Sequence, residues 1–539
     1  MKQNLTCFFF ILISVAYSYS QKVIYSPVDK TNFTGFETDI IGKYDQSILV
    51  YTSFYYTLPN SFAKGTVTDT NNGFEDDLNN RTVTNEIRIF SNDMKLVKKK
   101  RLSLAPNISA VHFVAFDDYF NMFYQYQKGH TIYCMVAKFD KEANLLGKPL
   151  QLDATEVLDY NYQSQVYSVS FSENRNFFVL YKMENDKNGL VTLNHLHFDG
   201  KFDLLQRSET KIRVRNGKDF LHDFTVDNEG NFIFLRTTES YDEEYAAYLS
   251  LLIQSPQSDT LHIKRLVPAN VFIDQFHLKI DNKNKQYIVS SFYAEKANGN
   301  MEGVYAAIFN YGGDQTPMIT KTVFDEQLRK EITGKGKSKE AFNDFYIQDI
   351  HLRSDGGFVI EAGNFFHFPD NQLQNRWNYL QYSSIQSAQD YLLDNQYNGD
   401  YYYPWRQWSF LAANSFSYNS EKLLLMDFDA KGNAGWSRVL TTSETGRFRY
   451  SVGCSTAKIS DAIYFFYNAT VKNKTFITAQ NVNENGEINT QENLKEDKII
   501  QGADNGHIIF PRYGKQVSKK ELVFPCMTGR YICFAKIEL

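Results

Sequence analysis

Five of the ten histidines in this chain, His112, His222, His277, His351 and His507, stand where an alternating apolar segment begins. Four of them follow closely on an aspartate: Asp219, Asp274, Asp349 and Asp504. An imidazole beside a carboxylate can ligate a metal, hold an anionic group or move a proton. Gathered around a channel, such pairs would make a ligand ring or the acid–base centre of a lyase or hydrolase. Their registers differ, however. His222 precedes the turn residue Asp227 by five positions, whereas His277 and His351 precede Asp281 and Asp355 by four. A one-residue shift turns a strand side chain to the other face, so the same residues also fit the simpler role of satisfying strand ends.

A second group is aromatic. Trp377, Tyr379, Tyr382, Tyr391 and Tyr397 precede Asp400-Tyr401-Tyr402-Tyr403-Pro404-Trp405-Arg406-Gln407-Trp408, and three of the four tryptophans lie in this segment. Flat rings with polar tips, with an arginine among them, suit a contact patch for a protein or the faces of sugar rings. They could equally pack the segment onto its own scaffold. The acidic run Asp69-Thr70-Asn71-Asn72-Gly73-Phe74-Glu75-Asp76-Asp77 is the one place where calcium is a candidate, but Gly73 falls where an EF-hand needs its third oxygen ligand. No cofactor is therefore expected. No nucleophile elbow, zinc-protease helix motif or phosphate-cradling loop occurs. Carboxylate pairs for glycoside chemistry are defined by separation in space rather than in sequence. A carbohydrate-active enzyme is thus the alternative to a binding module.

The elements that would position these residues repeat. Alternating strands of four to eight residues recur with turns rich in Asp, Asn and Gly, as in His222–Phe234 and Ile350–Ile360. A repeat of about 45–50 residues with four strands per unit is the mark of a β-propeller. The chain has 36 Tyr, 44 Phe and 11 Pro, a bias that suits half-buried pleated surfaces. An all-β single propeller of eight blades follows, with seven as the alternative count because the first blade is irregular. The last unit, Gly506–Leu539, has room for three strands, and Lys22–Ser26 is a spare strand that could complete it and close the ring. Two insertions, 57–83 and 366–421, both fall between the second and third strands of their blades, which puts them on one face. In the last unit a two-residue turn at Gly529-Arg530 would set Cys526 opposite Cys533, within reach of a disulfide, and a one-residue shift would separate them.

The sixth unit carries a likeness to a known group. Ser354-Asp355-Gly356-Gly357-Phe358-Val359-Ile360-Glu361-Ala362-Gly363, followed by Asp427-Phe428-Asp429-Ala430-Lys431-Gly432-Asn433-Ala434-Gly435-Trp436-Ser437, resembles propeller repeats of exported bacterial proteins. Those repeats pair an Asp-Gly-Gly-aromatic strand with an Asp-x-x-Gly-Asn-x-x-Trp turn. The resemblance implies a propeller and export, and no particular activity.

Residues 1–20 read as a signal peptide: Lys2, an apolar run to Ala16, then Ser18-Tyr19-Ser20. Residues 21–539 are then the propeller, with no later run long enough to span a membrane. The expected destination is periplasmic, cell-surface or secreted, and the expected partner an envelope or extracellular protein or glycan. A net charge of −5 argues against nucleic acid, which demands a basic footprint. The run Lys98-Lys99-Lys100-Arg101 fits a charged outer strand that discourages edge pairing.

Overall fold

The computed structural model describes residues 22–31, 35–57, 81–105, 108–157, 166–185, 189–214, 219–239, 246–268, 271–273, 276–297, 299–312, 316–334, 338–364, 366–368, 408–409, 417–446, 452–459, 461–471, 474–489, 506–529 and 531–539. Strands make up 67% of it and helix 3%, arranged as eight four-stranded antiparallel sheets in a ring, so the fold is an eight-bladed β-propeller. The innermost strands of blades 1 to 8 are Gly35–Tyr44, Ser109–Ala115, Ser168–Phe171, Asp219–Val226, His277–Asp281, Phe345–Leu352, Ser455–Ile459 and, in the last blade, Ile508–Ile509 with Lys515–Ser518. Buried apolar side chains form eight clusters, and each lies between two neighbouring blades. Ile288, Phe292 and Ile308 of blade 5, for example, pack on Ile350, Phe358 and Phe428 of blade 6. Burying one such side chain is worth about 1.5–3 kcal/mol.

The recurrent Asp/Asn/Gly turns have one physical design. The Asp429 carboxylate accepts the backbone N–H of Lys431 and Asn433, each at 2.8 Å, and the Asn433 side-chain amide at 2.8 Å. Asp140 with Asn144 and Asp227 with Asn231 repeat this arrangement. One residue of each turn takes a left-handed conformation, and Gly432 (φ 80°) supplies it in blade 6. The glycine removes the steric cost of that conformation. The tryptophan of the same motif ties blades together: Trp436 donates from its indole nitrogen to the Glu484 carbonyl of blade 7 at 3.0 Å. A Cβ on Gly486 would come within 2.4 Å of the Trp436 ring, so that turn needs glycine for close approach as well.

Closure runs as the repeat count implies. Lys22–Tyr25 pairs antiparallel with Tyr531–Glu538, Val23 opposite Ile537, and becomes the outermost strand of blade 8. Beyond it the chain crosses to blade 1. The Asp29 backbone N–H donates to the Ile532 carbonyl at 2.9 Å. Its carboxylate binds Arg88 and, at 2.9 Å, Lys99, both on blade 1. Lys43 of blade 1 reaches Glu521 of blade 8 at 2.6 Å. Thus one member of the basic run, Lys99, serves the closure, while its strand Leu96–Arg101 is the exposed outer strand of blade 1.

Both insertions lie between the second and third strands of their blades, with shorter bounds than the sequence suggests. In blade 1 the ladder runs on to Thr57 opposite Arg81, so the insertion is 58–80. In blade 6, Phe366–Phe368 pairs with Ser417–Asn419, leaving 369–416. The hydrogen-bonded hairpin continues because alternating polar and apolar residues persist past the point where composition alone marks a change. Among the described residues no helix is long and apolar enough to cross a membrane.

Asp29→Ala tests the closure. Burial alone would raise its carboxyl, but the Thr31 hydroxyl, Arg88 and Lys99 outweigh this and hold it well below the usual carboxylate range. Its contribution is therefore present above the unfolded value near pH 4 and lost as pH falls toward the folded one. Arg88 keeps Glu86 at 2.6 Å, so the loss should fall at or below the low end for a broken buried pair, about 2–3 kcal/mol at pH 7. Urea unfolding of the two proteins reads it, and a loss under about 1 kcal/mol would remove Asp29 from the closure.

Candidate functional site

The structure distributes the Asp and His candidates rather than gathering them in a ring. Asp219 binds Arg236 at 2.6 Å and His222 meets the Thr237 hydroxyl at 2.8 Å, so both are held by the second strand of their own blade. His222 pairs across with Leu235, His277 with Ser290 and His351 with Val359, which are different levels of their ladders. A β-bulge explains the register difference in blade 4: the pairing shifts between His222 and Thr225, and Asp223 there has φ 55°. Bulges re-aim side chains, and the innermost strands of blades 1, 2 and 6 carry them too. His112 stacks on Phe171 of blade 3. Asp274, Asp504, Asp69–Asp77 and the residues Trp377, Tyr401, Tyr402, Tyr403, Trp405 and Arg406 lie outside the described residues.

Asp349 and His351 converge, and they do so with residues that the spacing did not single out. Asp349 faces Glu361 directly across the first two strands of blade 6. His351 donates from Nε2 to Glu361 Oε2 at 2.7 Å and has Asp349 at 3.7 Å. Lys279, on the innermost strand of blade 5, reaches Asp349 at 3.1 Å. From blade 7 the Cys454 thiol donates to Glu361 Oε1 at 3.2 Å. Burial opposes charge on His351, yet the Asp349 and Glu361 carboxylates prevail and hold its pKa above the ordinary value. Two carboxylates and two cations then balance where directly opposed like charges would otherwise repel. Burial, followed by the Glu361 charge, pushes the Cys454 thiol far up. It stays protonated and is a poor nucleophile. The cluster therefore brackets the inner edges of blades 5, 6 and 7.

Three further buried titratable residues were invisible to motif reading. Glu444 of blade 6 accepts the backbone N–H of Asn468 and Gly453, each at 2.9 Å. His195 and His197, each 1% exposed, hydrogen-bond one another at 3.1 Å. Burial pushes their pKa values down to about 3 and about 4, so both are neutral. A signal did exist for Glu361: a lone charge inside the apolar run Phe358-Val359-Ile360-Glu361-Ala362 must find a partner.

The blade 6 insertion does not stay on blade 6. Its residues Trp408–Ser409 form a short strand that pairs antiparallel with Gly35 and Phe36, at the inner edge of blade 1. Gly35 and Phe36 open the innermost strand of blade 1, so Trp408–Ser409 sit at the end where the chain enters that strand. The helix Glu326–Thr333, which joins blades 5 and 6, supports the same side. Asp325 caps its first turn at Leu328, and the Lys422 ammonium binds the carbonyls of Glu331 and Ile332 at 2.6 Å. A cation at a helix C-terminus is favourable.

The fold and this site define an eight-bladed propeller with an insertion-bearing face. The sequence matches no protein-family model and no curated protein. Solved structures similar to it include the WD40 domain of SCAP from fission yeast, at 8% identity and TM-score 0.36, covering 96% of this chain and 98% of that one. A polysaccharide lyase, an ulvan lyase, is similar at 9% identity and TM-score 0.34 over 78% of this chain and 90% of that one. One of two prolyl endopeptidases is similar at 8% identity and TM-score 0.36 over 92% of this chain, which spans about half, 54%, of that protein's length.

Glu444 makes stability pH-dependent in a direction that can be measured. Burial pushes its carboxyl up to about 8, against an ordinary 4.5. Between those values the folded state holds a proton that the unfolded state releases, so stability is complete below about pH 4.5 and falls as pH rises to about 8. The loss is on the order of 5 kcal/mol. Glu444→Gln should lower stability at pH 5 but flatten its fall from pH 5 to 8, read from urea midpoints. A variant curve parallel to the wild type would place the titration elsewhere.

Proposed function

We propose that this protein is an exported interaction module that takes an envelope or extracellular glycan or protein on the face bearing the two insertions. The observation that carries the reading is the strand Trp408–Ser409 on the inner edge of blade 1. These two residues belong to a segment whose sequence is rich in Trp, Tyr and Arg, and they meet blade 1 where its innermost strand begins. A rigid platform with long loops on one face is the usual design for recognition. The aromatic content supplies large contact area at low entropic cost. Export rests on the character of residues 1–20.

A carbohydrate-active enzyme is the second reading, favoured by the convergence of Asp349, His351 and Glu361. Against it, each of these groups is already paired within the cluster, and the neighbouring thiol is un-ionised.

Replacing 374–408 with a short Gly/Ser linker tests the first reading. The variant should keep its β-sheet circular dichroism and lose capture of partners from envelope extract and on a glycan array. Retained binding would sink the proposal. Polysaccharide cleavage by the wild type that disappears in His351→Gln would replace it with the enzyme reading.

A further inference from the structure

Cys526 and Cys533 stand directly opposite one another in the hairpin whose last pair is Thr528 with Tyr531, with Cα atoms 4.9 Å apart, and are joined as a disulfide. They are 0% and 1% exposed. A third group belongs to this place. His507, just before the innermost strand of blade 8, brings Nδ1 to 3.5 Å from Cys533 Sγ. One ligand atom from each of the three residues lies within 4.8 Å of the others. Among the described residues this is the only His, Cys, Asp and Glu group so disposed.

We propose that the reduced form of this hairpin is a site for a thiophilic metal ion, zinc(II) in the first instance, held by Cys526, Cys533 and His507 Nδ1, and that the disulfide is the metal-free form of the same site. Two thiolates and an imidazole are the ligand set that soft and borderline ions select. Three protein ligands leave a fourth position for water. The ring of His507 is held by stacking on Tyr25 at 4.1 Å, and its Nδ1 exchanges the hydrogen bond with the Thr528 hydroxyl for the metal on binding.

The chemistry balances with a dithiol as reductant. Two thiol–disulfide exchanges break the Cys526–Cys533 bond, the dithiol becomes a cyclic disulfide, and its two protons pass to the cysteine thiols. Zinc then displaces those two protons to solvent and forms two Zn–S bonds and one Zn–N bond. The connection between Thr528 and Tyr531 joins the second and third strands of its blade, as the insertions do in blades 1 and 6. The site therefore sits at the insertion-bearing face, and Tyr25 couples it to the closing strand.

The test uses the full chain carrying Cys7→Ser, Cys134→Ser and Cys454→Ser, so that only the pair remains. It is reduced with dithiothreitol, desalted under argon and titrated with cobalt(II), which reports thiolate ligation by near-ultraviolet charge-transfer bands. The proposal expects one cobalt per chain in the reduced protein, displaced by zinc, and none in the oxidised protein. His507→Ala should weaken binding at least tenfold while the disulfide still forms on oxidation. Alkylating the reduced cysteines with iodoacetamide serves where a cysteine variant does not fold, and it should abolish uptake. Absence of charge-transfer bands in the reduced protein would overturn the proposal. So would an unchanged affinity in His507→Ala.

Discussion

No blade of this protein can bury its own surface. A four-stranded sheet has two faces, and every apolar cluster in the structure lies between one blade and the next. The core is therefore shared around a circle, and it exists only if the circle closes. That requirement explains why an N-terminal strand completes the last blade. It also explains why Asp29 and Lys43 add ion pairs across the junction of blades 8 and 1. Open sheet edges at that junction would leave unpaired N–H and C=O groups in addition to lost apolar burial.

Closure creates a second problem at the centre, where eight innermost strands each present an edge; that of blade 1 is paired at Gly35 and Phe36 by Trp408–Ser409. Neighbouring blades answer it with side chains. Asp223 accepts the Leu278 N–H at 2.8 Å, the Ser170 hydroxyl donates to the Phe224 carbonyl at 3.0 Å, and Lys458 donates to the Leu352 carbonyl at 3.2 Å. Arg175 does the same for Ala115. The polar character of these strands, which first suggests a ligand ring, is thus in large part the cost of having edges around a channel. Bulges add to it by freeing further backbone groups and turning side chains such as His222 back onto their own blade.

Much of the architecture was legible because period-two alternation and Asp/Gly turns are local signals. Asp429, Gly432, Asn433 and Trp436 each act within one turn or on the adjacent blade, so their spacing survives in the sequence. The missing strand of the last unit could be inferred by counting. The candidate site was far less legible. Glu361 meets Cys454 across 93 residues and Lys279 meets Asp349 across 70, and no spacing rule reaches that far. His507 was singled out beside Asp504, which lies outside the described residues, and its observed neighbours Cys533 and Thr528 were not foreseen. Lateral pairing between blades decides such contacts, and lateral pairing is invisible in a single strand's pattern.

The closing strand has a mechanical meaning as well. Lys22 lies opposite Glu538, so the two ends of the described chain leave the ladder side by side. Force applied between them would load that ladder from one end and open it pair by pair, as a zipper, rather than shearing all its hydrogen bonds together. Tyr25 opposite Ala535 would yield last, and the Asp29 contacts with Arg88 and Lys99 stand beyond it as a stop. A propeller closed in this way resists heat through its whole circumference but yields to tension at a single seam.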